Sequence, residues 1–318
     1  MTDLVSITAP IFLLIALGFF AVRLRFVDAE LIRGLGAFVL NFAMPALILH
    51  AFLGQDFREV ADARFILAYG GASLVLFALL WMLFRFVLRR EGAHAALATL
   101  GGVSSNSGFV GFPVASLAVG APALAVLPMA MLVENVLMIP LALGLAEAAR
   151  QHGKAPLALV RHTLVRLART PLLIAIVVGA ALAFLQLRPP ALLATTIGML
   201  ANASIACALF TVGGTLAAVQ PTAVAGDVAL IALAKLVLHP LAVAAAFWLA
   251  GDISGPLLAA GLIMAASPML TVYPIFGQRF GLGPLCSMAL LATTTMSFVT
   301  LTVVLWLVLG DPVASSAG

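Results

Sequence analysis

The residues best suited to chemistry form one short polar run inside an apolar stretch, at 101–114 ("GGVSSNSGFVGFPV"). Hydroxyl and amide groups at a helix break can donate hydrogen bonds to a carboxylate, and the first backbone N–H groups of the next helix add partial positive charge. The same groups can instead cap the broken helix. We favour anion binding, because a cap requires one polar residue. The candidates are Ser104, Ser105, Asn106 and Ser107, with Gly108 and Pro113 in the same break.

Two charged residues, Glu134 and Lys235, lie inside apolar stretches. A charge in the interior of a bilayer is costly unless it is paired or hydrated. One interpretation is that these residues bind and release a coupling ion during a functional cycle. The other is that they form a static buried salt bridge.

The composition is that of a membrane protein. Of 318 residues, 64% are hydrophobic and 9% are charged, whereas soluble domains have about 25% charged residues. The net charge is +4, but the basic residues lie in short clusters between apolar runs, which is a membrane-orientation pattern and not a nucleic-acid-binding surface. "GGVSSNSG" lacks the lysine of a phosphate-binding loop, and the five histidines lack zinc-ligand spacing. We therefore expect no cofactor, metal or nucleic-acid partner.

Ten apolar segments are long enough to cross a bilayer, which takes about 20 residues each. We predict an all-α, multi-pass protein of the cell (inner) membrane with spans at about 4–22, 33–53, 65–88, 95–120, 122–147, 170–187, 191–218, 226–249, 255–280 and 284–309. Twelve of the sixteen Lys and Arg residues then lie at span ends on one side, and three lie on the other. Since cytoplasmic ends carry excess positive charge, both termini are predicted on the non-cytoplasmic side.

The two halves of the chain resemble each other at a shift of 161 residues. The identical pairs are Pro10 and Pro171, Gly18 and Gly179, Asn41 and Asn202, Pro113 and Pro274, and Gly120 and Gly281. Five spans in each half make the second half inverted relative to the first. We predict two five-helix repeats, 1–155 and 162–318, in a single membrane domain. The alternative is a chance coincidence of residues that are common in membranes.

The shift also gives the polar run a counterpart, because "SSNSGFVGFP" coincides with "AASPMLTVYP" in the ninth span. Broken backbone is tolerated in a membrane only against protein or a water-filled cavity, and paired breaks in two halves indicate a transporter binding site. We expect the second break to supply Ser267, Pro268, Thr271, Tyr273 and Pro274 to this site. Asn41 and Asn202 either line the substrate path or form hydrogen bonds between helices.

Four motifs occur in order along essentially the whole chain: "NFAMPALIL", "SNSGFVGFPV", "LAKLVLHPL" and "SPMLTVYPIFG". With them the chain resembles the auxin efflux carrier family, which includes bacterial malonate- and malate-type carriers. The resemblance implies ten helices in inverted repeats, with helices 4 and 9 broken and crossing near the midplane. It also implies a scaffold of spans 1, 2, 6 and 7, frequent homodimers, organic-anion substrates, and a place for Asn135 close to the substrate.

Residues and resemblance together predict a secondary active transporter of a small organic anion, a carboxylate or dicarboxylate, that works by alternating access. The energy is expected from an ion gradient, with a proton or sodium as the candidate coupling ions, or from the membrane potential, and membrane lipid surrounds the protein. One alternative is a cation-coupled symporter or antiporter of the same fold, similar to bile-acid symporters or sodium/proton antiporters. It is disfavoured because neither break contains an acidic residue. An intramembrane enzyme is disfavoured because no serine or acid in the breaks has a plausible base beside it.

Overall fold

Helices make up the described structure. The computed structural model describes residues 2–54, 62–150, 169–219 and 225–309, and no β-strand occurs within these ranges. Six helices are long and apolar enough to cross a membrane, and three shorter apolar helices accompany them. The all-α prediction is confirmed for these residues, whereas the count of ten spans stays a prediction. The predicted boundary between the halves, at 155–162, lies outside the described residues, as do Arg58, Lys154, Arg161 and Arg166.

We number the helices in chain order. They are α1 (Thr2–Arg23), α2 (Ala29–Leu53), α3 (Ala63–Val87), α4 (Gly92–Val103), α5 (Phe112–Val119), α6 (Pro122–Arg150), α7 (Pro171–Phe184), α8 (Ala191–Ala217), α9 (Gly226–Ala250), α10 (Gly255–Ala266), α11 (Tyr273–Arg279) and α12 (Gly283–Leu309). The fourth predicted span is divided into α4 and α5, and the ninth into α10 and α11. Both predicted breaks are therefore present.

Four π-helical turns each end two residues before a proline. The turns are Val39–Ala43, Ser107–Gly111, Val133–Met138 and Ala234–Leu238, and the prolines are Pro45, Pro113, Pro140 and Pro240. In each turn the N–H of the residue before the proline donates to the carbonyl five residues back, as Phe112 does to Ser107. The wider turn relieves the clash between the proline ring and the carbonyl four residues earlier. These turns hold the candidate residues Asn41, Ser107, Gly108, Glu134, Asn135 and Lys235.

Helices from the first half of the sequence pack against helices from the second half. Helix α1 packs along α8, and α2 packs along α7. A Cβ added at Gly18 would overlap the backbone of Phe210, and one added at Gly213 would overlap the backbone of Ile15, so α1 and α8 are in backbone contact. At the α2–α7 interface, a Cβ on Gly179 would lie 2.5 Å from the ring of Phe52. Small residues permit such close packing in a membrane.

Apolar side chains cover much of the outer surface. Leu13, Val177, Leu192 and Trp248 on four different helices are 68%, 68%, 78% and 80% exposed. A soluble protein rarely presents large apolar side chains over so many faces, whereas lipid solvates them. The surface agrees with a multi-pass membrane protein.

Candidate functional site

The first break begins where α4 ends. Ser104 leaves the helix, and the chain resumes as the π-helical turn Ser107–Gly111. Ser104 Oγ donates to the carbonyl of Leu100 at 2.6 Å, and Asn106 Oδ1 accepts the Phe109 N–H at 3.3 Å. Both bonds satisfy helix ends, which is the capping role that the sequence left open. Ser105 and Ser107 instead turn to other helices.

The second break, residues 267–272, separates α10 from α11. Ser267 Oγ caps α10 by donating to the carbonyl of Met264 at 2.7 Å. Tyr273 is completely buried, and its hydroxyl donates to the carbonyl of Leu97 on α4 at 2.7 Å. Pro274 lies in the first turn of α11, where the lost N–H has no intrahelical partner. The polar side chains of this break thus bond mainly to backbone.

The two breaks meet at Asn106. Its backbone N–H donates to the carbonyl of Pro268 at 2.7 Å, and its side-chain Nδ2 donates to Thr271 Oγ1 at 2.6 Å. Beyond it, a Cβ added at Gly111 would lie 3.2 Å from Cα of Met264, so the segment after the first break packs closely against the end of α10. Two segments that are distant in sequence, with Asn106 and Thr271 165 residues apart, therefore share one polar contact region.

Lys235 connects both broken helices to α9. Its side chain is completely buried, and Nζ donates to Ser105 Oγ at 2.7 Å and to the carbonyl of Ala265 at 2.6 Å. Ser105 belongs to the first break, and Ala265 is in the last turn of α10. A buried ammonium is stable only when its donors are satisfied, and these contacts come from the first break and from α10.

His239 continues this network into α3. Lys235 Nζ lies 3.0 Å from His239 Nδ1, and His239 Nε2 lies 3.0 Å from Ser73 Oγ. Ser73 Oγ donates its hydrogen to the carbonyl of Tyr69 at 2.8 Å, and His239 Nδ1 also lies 3.2 Å from the carbonyl of Ala265. The Tyr69 hydroxyl in turn lies 3.5 Å from Ser105 Oγ. The contacts therefore run from Ser105 through Lys235, His239 and Ser73 to Tyr69, whose side chain returns to Ser105.

The sequence did not identify Tyr69, Ser73 and His239 as site residues. The signal that could have identified them is the spacing of four between Tyr69 and Ser73 and between Lys235 and His239, which places each pair on one face of its helix. The packing of α3 against α9 then brings the two pairs together.

Glu134 approaches the same break from α6. Ser107 Oγ donates to Glu134 Oε1 at 2.5 Å, and the carboxyl is buried. Within the described ranges, no ion pair at 4 Å or less includes Glu134 or Lys235. The two charged side chains instead bond to Ser105 and Ser107, which are separated by one residue. The direct salt bridge considered from the sequence is absent from this arrangement.

Other candidate residues lie outside this cluster of contacts. Asn135 Nδ2 donates to the carbonyl of Met131 in its own helix at 2.8 Å, and Asn41 Nδ2 does the same to Ala37 at 2.8 Å. Asn41 and Asn202 are exposed on α2 and α8. A Cβ added at Gly108 would lie 2.6 Å from Met44 Cε, so this glycine permits close packing.

The structure thus brings together seven of the predicted residues: Ser105, Asn106, Ser107, Glu134, Lys235, Pro268 and Thr271. We call this set, with His239, the break cluster. Within the described part of the chain, no group of three His, Cys, Asp or Glu side chains could hold a metal ion. The chemistry of the cluster is hydrogen bonding around one cation and one carboxyl.

Comparison with known proteins agrees with a transport role. A family model described as "Membrane transport protein" matches residues 4–306. The chain is 30% identical over 309 residues to a protein of Rhizobium meliloti (strain 1021) named "Putative malonate transporter", with 97% of each chain covered. It is 27% identical over 303 residues to "Uncharacterized transporter YfdV" of Escherichia coli (strain K12), with 94% of this chain and 95% of the relative covered. The family is one of transporters and not of enzymes. The chain therefore belongs to the membrane transport protein family, the auxin efflux carrier family that its motifs resemble.

Proposed function

We propose that the protein is a secondary active transporter that moves a small organic anion, a carboxylate or dicarboxylate, across the cell membrane by alternating access. The observation that carries this proposal is the meeting of two helix breaks beside a buried cation, Lys235. An anion inside a membrane requires both positive charge and hydrogen-bond donors, and the break cluster offers both. The name of the Rhizobium meliloti relative contains malonate, a dicarboxylate.

Asn106 and Thr271 are the residues that we infer contact substrate directly. Thr271 is half-buried and therefore accessible, and its hydroxyl now accepts from the Asn106 amide at 2.6 Å. A carboxylate oxygen can accept from both groups in place of that bond. Lys235, which bonds to Ser105, supplies the positive charge. When the carboxylate replaces the bond between Asn106 and Thr271, the direct side-chain contact between the two breaks is lost.

The architecture that we propose is two inverted five-helix repeats, 1–155 and 162–318, whose broken helices cross near the midplane. Gly18 and Gly179, which are related by the shift of 161 residues, support it, because each packs against the opposite half of the sequence. The same shift carries 267–272 onto 106–111, the end of the first break and the π-helical turn that follows. Both termini then face the non-cytoplasmic side, and two copies form a homodimer as in the family.

The driving force for transport is the membrane potential, an ion gradient or both. Outward movement of a net negative charge is favoured by an inside-negative potential, by about 2.3 kcal/mol per charge per 100 mV. Proton coupling through Glu134 or Lys235 adds a second driving force, and sodium is the other candidate. A cation-coupled symporter or antiporter of the same fold remains the alternative function, supported by the buried Glu134 carboxyl at the break.

Uptake into proteoliposomes tests this function. Purified protein is reconstituted and offered malonate, malate, indole-acetate and a bile acid, each with and without pH, sodium and voltage gradients. We expect saturable uptake of at least one carboxylate that responds to one gradient. Protein-free liposomes and the Asn106→Ala variant are the controls. If no organic anion binds or moves under any gradient, the proposed function is wrong.

A further inference from the structure

A basic cavity lies at the end of the helices that the charge bias predicts to face the cytoplasm. It has a volume of about 310 Å³, and its lining includes Arg85, Arg89, Arg90, Glu91, Gly92 and Arg150. Four arginines and one glutamate therefore line the same space. A bias of charge across a membrane requires basic residues near the helix ends, but it does not require that they converge on one cavity. The convergence therefore calls for an anionic ligand.

Close packing of helices builds this cavity. Gly92 opens α4, and a Cβ added there would lie 2.5 Å from Cβ of Ala149, so the end of α6 lies against the start of α4. This contact places Arg150 opposite the arginines that follow α3. Arg89 has a positive φ of 53° just after α3, where the Arg90 N–H closes the helix end by donating to the carbonyl of Phe84 at 2.9 Å.

The guanidinium groups keep donors available for a ligand. Arg150 Nη1 donates to the carbonyl of Arg279, and Arg85 Nη1 donates to the carbonyl of Arg90, so neither contact neutralises a positive charge. Arg90 pairs with Asp227 at 2.9 Å, and among the described residues Arg89 makes no hydrogen bond or ion pair. Several Arg forks around one space match the geometry of a phosphate group.

The surroundings indicate that this phosphate belongs to a lipid. Phe86 and Val87, between Arg85 and Arg89 in sequence, are 68% and 69% exposed. Apolar side chains of this kind contact acyl chains, whereas the arginines lie at the level of the headgroups. We propose that the cavity is a binding site for the phosphate headgroup of an anionic phospholipid. Because Arg90 and Arg150 also bond to Asp227 and Arg279 in the second half of the chain, the lipid would join the two halves.

Lipid binding to the purified full-length protein tests this site independently of transport. Spin-labelled phosphatidylglycerol is titrated into protein in neutral detergent, with spin-labelled phosphatidylcholine as one comparison and competition by inorganic phosphate as another. We expect phosphatidylglycerol to bind at least tenfold more tightly than phosphatidylcholine, and millimolar phosphate to compete weakly. The Arg89→Gln, Arg150→Gln double variant should lose that tenfold preference. Arg89→Lys should retain part of it, because the charge remains while the fork is lost.

The control is Arg23→Gln, Arg25→Gln, which removes the same charge at another basic cluster on the same predicted side. Size-exclusion profiles and thermal unfolding without lipid check that all variants fold. An equal loss of preference in the control would mean diffuse electrostatic attraction and would overturn the proposal. Phosphate that competes as strongly as the lipid would assign the cavity to a soluble anion and also overturn it. Failure of lipid binding leaves carboxylate uptake untouched, so the two proposals fail separately.

Discussion

The two helix breaks are related by a shift of 161 residues in sequence but are stabilised differently. In the first break, Ser105 and Ser107 bond to charged side chains from other helices, Lys235 and Glu134. In the second break, Ser267 bonds to the carbonyl of its own helix. The shift of 161 residues relates the two breaks, but the charged side chains bond to only one of them.

The positions of the charges explain this difference. Under the shift of 161 residues, Lys235 corresponds to Leu74 and Glu134 corresponds to Thr295. Lys235 and Glu134 are buried, whereas Leu74 is 37% exposed and Thr295 is exposed. The buried charged groups are therefore asymmetric with respect to the shift of 161 residues.

The largest effect is expected from Lys235→Met. The variant keeps the approximate length of the side chain but removes the ammonium group that donates to Ser105 and to the Ala265 carbonyl. Because a hydrogen bond from a charged donor contributes about 1.5–3 kcal/mol, we expect carboxylate uptake to fall by about a hundredfold and thermal stability to drop. Leu74→Met is the matched control and should transport normally. Normal uptake by Lys235→Met would show that the charge of Lys235 is not required for substrate binding.

Next in size is the contrast between Asn106→Ala and Ser267→Ala. Asn106 joins the two breaks, so we expect its loss to reduce uptake about tenfold. Ser267 only caps its own helix, so its loss should lower folding stability by about 1 kcal/mol and uptake by no more than about twofold. Initial uptake rates and apparent KM of both variants measure the contrast. Equal losses would mean that the breaks are functionally equivalent.

Glu134→Gln tests coupling with almost no change in volume. If Glu134 carries the proton, one unit of pH gradient, worth about 1.4 kcal/mol, should change wild-type accumulation about tenfold and variant accumulation less than about twofold. Steady-state accumulation at several imposed gradients measures this, with Thr295→Val as the control at the corresponding position. Unchanged transport with unchanged pH dependence would exclude proton coupling through Glu134.

The smallest effects are expected from Asn41→Ala and Asn202→Ala. Both side chains are exposed, and Asn41 bonds only within its own helix. We expect less than about a twofold change in uptake for either variant, because neither side chain bonds to the break cluster. A tenfold increase in the KM of one variant would mean that the substrate path includes α2 or α8.

Much of the fold could be predicted from the sequence because its signals are local. Apolar length predicted the helices, and "SSNSGFVGFP" with its counterpart predicted the two breaks. The prolines Pro45, Pro113, Pro140 and Pro240 also carried information about π-helical turns that spacing alone did not reveal. These features depend on a few neighbouring residues and on their backbone chemistry.

The partners of the charged residues could not be predicted in the same way. The bond from Lys235 to Ser105 joins residues 130 positions apart, and the contact of His239 with Ser73 joins residues 166 apart. Both depend on how α9 packs against α3 and α4, which no short segment encodes. A salt bridge between Glu134 and Lys235 was therefore one interpretation of the sequence, whereas in the structure each of them bonds to a serine.

Equilibrium binding of a dicarboxylate to the purified protein tests the central claim most directly, because it requires no gradient. Radiolabelled malonate is titrated against wild type, Asn106→Ala and Asn202→Ala. We predict saturable binding by the wild type, about tenfold weaker binding by Asn106→Ala, and nearly unchanged binding by Asn202→Ala. Malonate binding of full strength in Asn106→Ala would contradict the claim that the substrate site lies where the two breaks meet.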